Sequence, residues 1–189
     1  MTKLALITSN QGKLREFRSE LSRLDIEVTS TDESCEEIQA DTIEEVVRYC
    51  LKDLGGRGVG NVIIDDSGLF IDSLGGFPGV YSSYVFRTLG CKGVLKLLEG
   101  MEDRSAHFSC CIGCILGSGE DIVVTESVSG RIGTEEKGNQ GFGFDPIFIP
   151  QEDQRTFAEM SIEEKNPISH RGKAIRAFAE MLKRKRGVR

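Results

Sequence analysis

Two long apolar and β-branched stretches, residues 105–116 and 122–132, flank Gly117-Ser118-Gly119. That pattern predicts a long antiparallel hairpin. A regular βαβ series has no place for such a ribbon, so a mixed α/β sheet is expected. The first elements agree. Residues 3–8 form a short apolar run that enters Ser9-Asn10-Gln11-Gly12, and Leu14, Phe17, Leu21 and Leu24 then recur at helical spacing with Lys and Arg between them. Strand, polar turn and helix follow in that order, and residues 26–30 alternate as a second strand. Thr42-Ile43-Glu44-Glu45 is a capping box, and Ile43, Val46, Val47, Cys50, Leu51 and Leu54 give the helix it opens an apolar face. Gly55-Gly56 ends that helix. Residues 61–65 predict a strand that stops at Asp65-Asp66-Ser67-Gly68, with a further short strand over 69–71 and a rigid turn at Gly75-Gly76-Phe77-Pro78-Gly79. A helix over 91–98, a last strand over 147–149, a capping box at Ser161-Ile162-Glu163-Glu164 and a Ser169-capped basic helix from near His170 complete the pattern.

With 189 residues the chain suits one domain, and 1–189 is read as a single unit. Hydrophobic residues at 39% and charged ones at 29% are a globular balance, not a disordered one. The net charge of −6 argues against coating nucleic acid through a basic surface, which needs excess Lys and Arg. That total is uneven, because from Lys165 to Arg189 nine basic residues face Glu180 alone, an excess of +8. No stretch approaches the ~20 apolar residues of a membrane span. The first apolar run is also too short for a secretory signal, so a cytoplasmic protein without membrane contact is expected. In that setting Cys35, Cys50, Cys91, Cys110, Cys111 and Cys114 read as buried thiols first and disulfides second. Cys111 and Cys114 form one C-x-x-C, a weak metal or redox signal without a second pair.

Polar residues collect at four junctions, where loop ends on a scaffold usually carry function. At Thr8-Ser9-Asn10-Gln11-Gly12-Lys13 a helix N-terminus, hydroxyls and an ammonium offer a phosphate cradle, though a capped turn with a surface lysine has the same composition. No Walker P-loop motif occurs, which disfavours a P-loop kinase or ATPase. The adjacent carboxylates of Asp65-Asp66 repel unless solvated or bound to a cation such as Mg²⁺, and Glu36 or Glu37 could add a ligand; acidic turns in an acidic chain are the plainer alternative. Phe142-Gly143-Phe144-Asp145 combines rings able to stack on a base with a carboxylate able to read its edge, or places two rings in a core. Lastly, Lys165-Asn166-Pro167-Ile168-Ser169-His170-Arg171 puts positive charge at a helix start, against the helix dipole, and so calls for an anionic or acceptor partner.

These segments, in this order and at these separations, resemble the inosine/xanthosine triphosphate pyrophosphatase family. The residues that carry the resemblance are Thr8 to Lys13, Asp65-Asp66-Ser67-Gly68-Leu69 running on to Leu74-Gly75-Gly76-Phe77-Pro78-Gly79-Val80-Tyr81-Ser82, Gly141 to Phe148, Phe157-Ala158-Glu159-Met160, and Glu164-Lys165-Asn166 with Ser169-His170-Arg171. The resemblance implies an elongated mixed sheet with flanking helices, two lobes around a nucleotide-binding cleft, a homodimer, and Mg²⁺-dependent release of pyrophosphate from ITP, dITP and XTP. By matching positions it implies Asp66 as general base and metal ligand, with Glu37 as second ligand. It assigns Thr8, Ser9, Asn10, Gln11, Gly12, Lys13 and Ser67 to the triphosphate, and Phe142, Gly143, Phe144, Asp145, Lys165, His170 and Arg171 to the nucleotide. Many relatives carry Arg or Lys just after the Tyr81-Ser82 position; this chain has Ser83-Tyr84-Val85-Phe86, leaving Arg87 or Lys52 as replacements. A pyrophosphatase of broader base specificity and a non-hydrolysing nucleotide sensor are the alternative readings.

Overall fold

In the computed structural model, which describes residues 2–24, 26–36 and 38–185, thirteen segments form one mixed sheet with helices on both faces. They are β1 (Thr2–Ile7), α1 (Gln11–Leu21), β2 (Ile26–Thr31), α2 (Ile43–Gly56), β3 (Val62–Ile71), β4 (Pro78–Gly79), α3 (Ser82–Thr88), α4 (Gly90–Leu97), β5 (Ser105–Ile115), β6 (Asp121–Ile132), β7 (Phe148–Pro150), α5 (Ile162–Lys165) and α6 (His170–Lys185). The strand order is β2-β1-β3-β5-β6-β7, with β4 paired to β3. β1 runs parallel to β2 and β3, whereas β3, β5, β6 and β7 are antiparallel. The expected hairpin is the β5–β6 ribbon, in register from Ser105 opposite Arg131 to Ile115 opposite Asp121.

Local signals account for most of the helices. Thr42 and Glu45 make the reciprocal capping box that opens α2, and Ser161 with Glu164 does the same for α5. The Ser169 hydroxyl accepts from the Gly172 N–H at the start of α6. Apolar stripes of α1 and α6 pack on one sheet face, burying Leu14, Phe17, Leu21, Ile175 and Phe178 against Leu4, Leu6 and Ile63. On the other face, α2 buries Val47, Leu51 and Leu54 against Val62, Ile64 and Cys111. A third cluster gathers α3, α4, Phe108, Phe144, Phe148 and Phe157 around the far half of the ribbon.

Three expectations are corrected. Asp65 to Gly68 is no turn: β3 continues without a break through Ile71, because β5 pairs with it from Val62 opposite Ile115 to Ile71 opposite Ala106. Consecutive strand side chains point to opposite faces, so Asp65 and Asp66 do not form a side-by-side carboxylate pair. Second, Ser82–Thr88 is helical, where no helix is legible before residue 91. Third, Cys35 and Cys50 form a disulfide with their Cα atoms 5.5 Å apart. The other four cysteines are buried thiols as expected. Cys114 packs on the α1/α6 face and Cys111 on the α2 face, so their C-x-x-C cannot converge on one metal ion. The basic helix expected from near His170 runs on as α6 through Lys185, which pairs with Glu120.

Candidate functional site

Three of the four polar junctions meet on one cavity of about 750 Å³, and the fourth enters it through α6. Thr8, Ser9, Asn10 and Lys13 reach it from the β1–α1 corner, Asp65, Asp66 and Ser67 from β3, Phe142 to Asp145 from the loop before β7, and His170 and Arg171 from the first turn of α6. Three expected site residues do not line it. Gln11 and Gly12 lie one step behind the corner, and Lys165 is buried beneath the Phe142 loop. Glu37 lies outside the described residues. Neither Lys52 nor Arg87 is among the residues lining the cavity; Ser83 is.

The β1–α1 corner is more self-contained than a phosphate cradle of free N–H groups. Asn10 is the N-cap of α1, and its Oδ1 accepts from the Gly12 N–H at 2.8 Å and the Lys13 N–H at 3.2 Å. The Leu14 N–H goes to the Asn10 carbonyl, and Thr8 Oγ1 accepts from the Asn10 N–H. Helix-end donors are thus spent on capping, and the hydroxyls with the Lys13 ammonium are what the corner offers an anion. Lys13 is aimed by β3, since its Nζ donates to the Asp65 carbonyl at 2.9 Å. Gly12 serves packing. A Cβ there would overlap the Phe142 ring. Gly12→Ala is therefore expected to force that ring aside, costing about 1–3 kcal/mol of stability measured by chemical denaturation.

Below the cavity lies a buried ionic network whose organiser is Glu16, a residue absent from the sequence reading. One Glu16 oxygen accepts from Arg171 Nη1 at 2.8 Å and the other from Lys165 Nζ at 3.0 Å. Arg171 Nε spans both oxygens of Asp65 at 3.0 Å, and its Nη2 donates to Ser67 Oγ at 2.6 Å. Lys165 also reaches Asp145 Oδ2 at 2.7 Å and sits 5.1 Å from the Phe142 ring centroid, a cation–π distance. Burial opposes the charge on Glu16 and Asp65, but Arg171 with Lys165 or Lys13 outweighs it and holds both carboxyls below their usual range. Burial likewise opposes the Lys165 charge, and Asp145 and Glu16 overcome it, so Lys165 stays an ammonium ion. The positive charge at the start of α6 finds, inside the protein, the anionic partner that its place against the helix dipole calls for.

His170 is different in kind. Its ring stacks on Phe108 at 4.5 Å and 11°. Burial, reinforced by Arg171, Lys165 and Lys13, pushes its pKa well below the usual value, so it is neutral at pH 7. Its buried Nδ1 has no hydrogen-bond partner among the described residues. A neutral imidazole can offer a donor or an acceptor there. Of the two platform rings, Phe142 is half-buried, whereas Phe144 belongs to the core and meets Phe86 edge-on at 5.3 Å.

Asp66 points to the opposite face of β3 from this network, and its Oδ1 accepts from the Ser67 N–H at 3.0 Å. Across the cavity Asp32 and Glu33 line the same space. Among the described residues no three His, Cys, Asp or Glu side chains group as a ready-made metal site. One or two carboxylates beside an anion-binding corner fit Mg²⁺ of the kind held jointly with substrate phosphates.

Known proteins resemble this chain over nearly its whole length. The Ham1 family model matches residues 4–181. A dITP/XTP pyrophosphatase of Thermococcus kodakarensis is 53% identical over 181 residues, 96% of this chain and 97% of that one. One from Pyrococcus horikoshii is 51% identical over the same shares of the two chains. The solved structure of the Staphylococcus aureus Ham1 protein superposes with a TM-score of 0.83 at 31% identity, covering 97% of this chain and 100% of the other.

Proposed function

The chain belongs to the Ham1 family, and from that premise we propose that it is a nucleoside triphosphate pyrophosphatase that hydrolyses non-canonical purine nucleotides. The observation that carries this reading is the single cavity joining a hydroxyl-and-lysine corner, the Asp66 carboxylate and the Phe142 platform with His170. Thr8, Ser9 and Lys13 hold the triphosphate, and Ser67, oriented by Arg171, adds a hydroxyl. Asp66 orients or deprotonates the water that attacks between the α and β phosphates. Asp66, with Glu37 as the second ligand, would hold Mg²⁺, which would supply charge neutralisation at the phosphate oxygens. Lys165, through Asp145 and the Phe142 ring, props the base platform from below. A two-lobed cleft, a homodimer and a cytoplasmic location belong to the same proposal. The exposed Tyr81, Tyr84 and Leu89 around α3 support self-association, and no helix among the described residues is long and apolar enough to cross a membrane.

Base choice follows from hydrogen bonding. Arg171 spends at least three of its five N–H donors inside the protein. His170 is therefore the freer group for the base edge. A donor from its unpartnered nitrogen meets the O6 acceptor of inosine or xanthine but is left unpaired against the amino group of adenine. An unpaired buried donor costs about 1–3 kcal/mol, roughly tenfold to a hundredfold in selectivity. Pyrophosphate release from ITP, dITP, XTP, ATP and GTP, with Mg²⁺ and with chelator, tests this. ITP turnover at least tenfold above ATP in kcat/KM is expected, with loss on chelation. Equal rates on ITP and ATP would refute the selectivity, and a stoichiometric ITP complex without pyrophosphate would refute catalysis.

A further inference from the structure

Both sulfurs of the Cys35–Cys50 disulfide belong to residues that line the nucleotide cavity. The bridge joins α2 to the segment after β2, which carries Asp32, Glu33 and Ser34 into that cavity and otherwise has no regular structure up to residue 40 where described. Its remaining side-chain ties are few. Arg57 pairs with Glu33 at 3.3 Å and donates to the Ser34 carbonyl, and Tyr49 donates to Glu36 at 3.2 Å. These contacts are exposed, and exposed polar contacts hold a loop weakly. Among the described residues of the segment, only Cys35 packs on the apolar cluster beneath α2. The bridge is thus the firm attachment of one cavity wall.

We propose that Cys35–Cys50 is a reversible redox site that sets the position of this wall and hence the affinity for the nucleotide. Cys50 is buried and Cys35 only half-buried, so an external thiolate meets the Cys35 sulfur first. A dithiol reductant supplies the electrons. Its first thiolate bonds to Cys35 Sγ as the Cys35–Cys50 bond breaks, and Cys50 leaves as a thiolate that takes up a proton. The second thiol of the reductant, as thiolate, then displaces Cys35, which is protonated in turn, leaving two protein thiols and one reductant disulfide. With the bridge open, Asp32, Glu33 and Ser34 keep the exposed contacts and the Glu33 N–H bond to Thr31 Oγ1 at the end of β2, and withdraw from a defined place in the wall.

The affinity claim rests on the pyrophosphatase reading; the redox and loop claims do not, and the experiment separates them. The full chain, purified in air, is unfolded without reductant and alkylated with iodoacetamide. Four adducts are expected before dithiothreitol treatment and six after it, read by mass. A Glu-specific protease should cleave after Glu33 or Glu36 at least tenfold faster in the reduced protein. The double variant Cys35→Ser/Cys50→Ser should cleave fast in either condition, with circular dichroism verifying its fold. In parallel, KM for ITP should rise about tenfold on reduction in the wild type and stay unchanged on reduction in the double variant. Six adducts from untreated protein, or equal cleavage of oxidised and reduced chains, would overturn the proposal. Redox-dependent cleavage with an unchanged KM would overturn the affinity claim. Absence of ITP turnover in either state, with redox-dependent cleavage intact, would count against the pyrophosphatase reading instead.

Discussion

Asp66→Asn is expected to lower pyrophosphate release from ITP by roughly a hundredfold to ten-thousandfold, the range for losing a positioned general base, while the protein stays folded. The isosteric amide keeps an Oδ1 that can still accept from the Ser67 N–H, and the side chain lies outside the buried network, so stability should move by no more than about 0.5 kcal/mol. Its neighbour supplies the contrast. Asp65→Asn removes the carboxylate that both Arg171 and Lys13 depend on, in a fully buried place, and breaking a buried pair costs about 3–5 kcal/mol. Two adjacent, chemically identical residues should therefore fail in opposite ways: the first in turnover with normal melting, the second in melting. Steady-state kinetics and thermal unfolding on both variants make the comparison. Near wild-type turnover in Asp66→Asn would remove that residue from the mechanism.

The contrast between Asp65 and Asp66 also marks where sequence reading stops. Strands, helices and caps were legible because each is set by neighbours in the chain: the capping box at Thr42, the apolar stripe Leu14-Phe17-Leu21, the long ribbon around Gly117. The four polar segments could be named as site candidates because each breaks an apolar pattern at an element end. Which partner a polar residue meets is a long-range fact. Glu16 lies 149 residues from Lys165 and 155 from Arg171, so nothing near it in the chain marks it as their shared counter-ion. The one local clue is a carboxylate sandwiched between Leu14 and Phe17 on the packed side of α1. The continuation of β3 through Asp65 to Gly68 was hidden for a related reason. Its pairing partner, β5, supplies the hydrogen bonds that keep polar residues in a strand, and local composition speaks only for a turn. Cys35 and Cys50 likewise announce no pairing, since spacing does not tell a bridge from two thiols.

Removing Arg171 should give a stability profile against pH that runs opposite to the wild type. In the wild type, Glu16 and Asp65 have carboxyls held below their usual range in the fold. Groups shifted in that direction add stability that is fully present above the unfolded pKa of about 4 and is lost as pH falls through the lower, folded pKa. The native protein should thus be flat in stability from pH 5 to 8 on their account and weaken only in acid. Arg171→Met keeps the bulk and deletes the guanidinium, leaving Asp65 with Lys13 and the Cys110 thiol, and Glu16 with Lys165. Burial, the largest influence on both carboxyls, then prevails and raises them above the unfolded value. A raised carboxyl costs nothing at pH values where it is protonated in both states, and costs progressively more as pH climbs through the unfolded pKa toward the raised one. The variant should therefore lie about 3–5 kcal/mol below wild type at pH 7, with the gap narrowing toward pH 5. Denaturant unfolding at several pH values checks both the size and the slope. A gap that is constant between pH 5 and 8 would mean that Arg171 contributes packing alone, and that the carboxylates beneath the cavity do not need it.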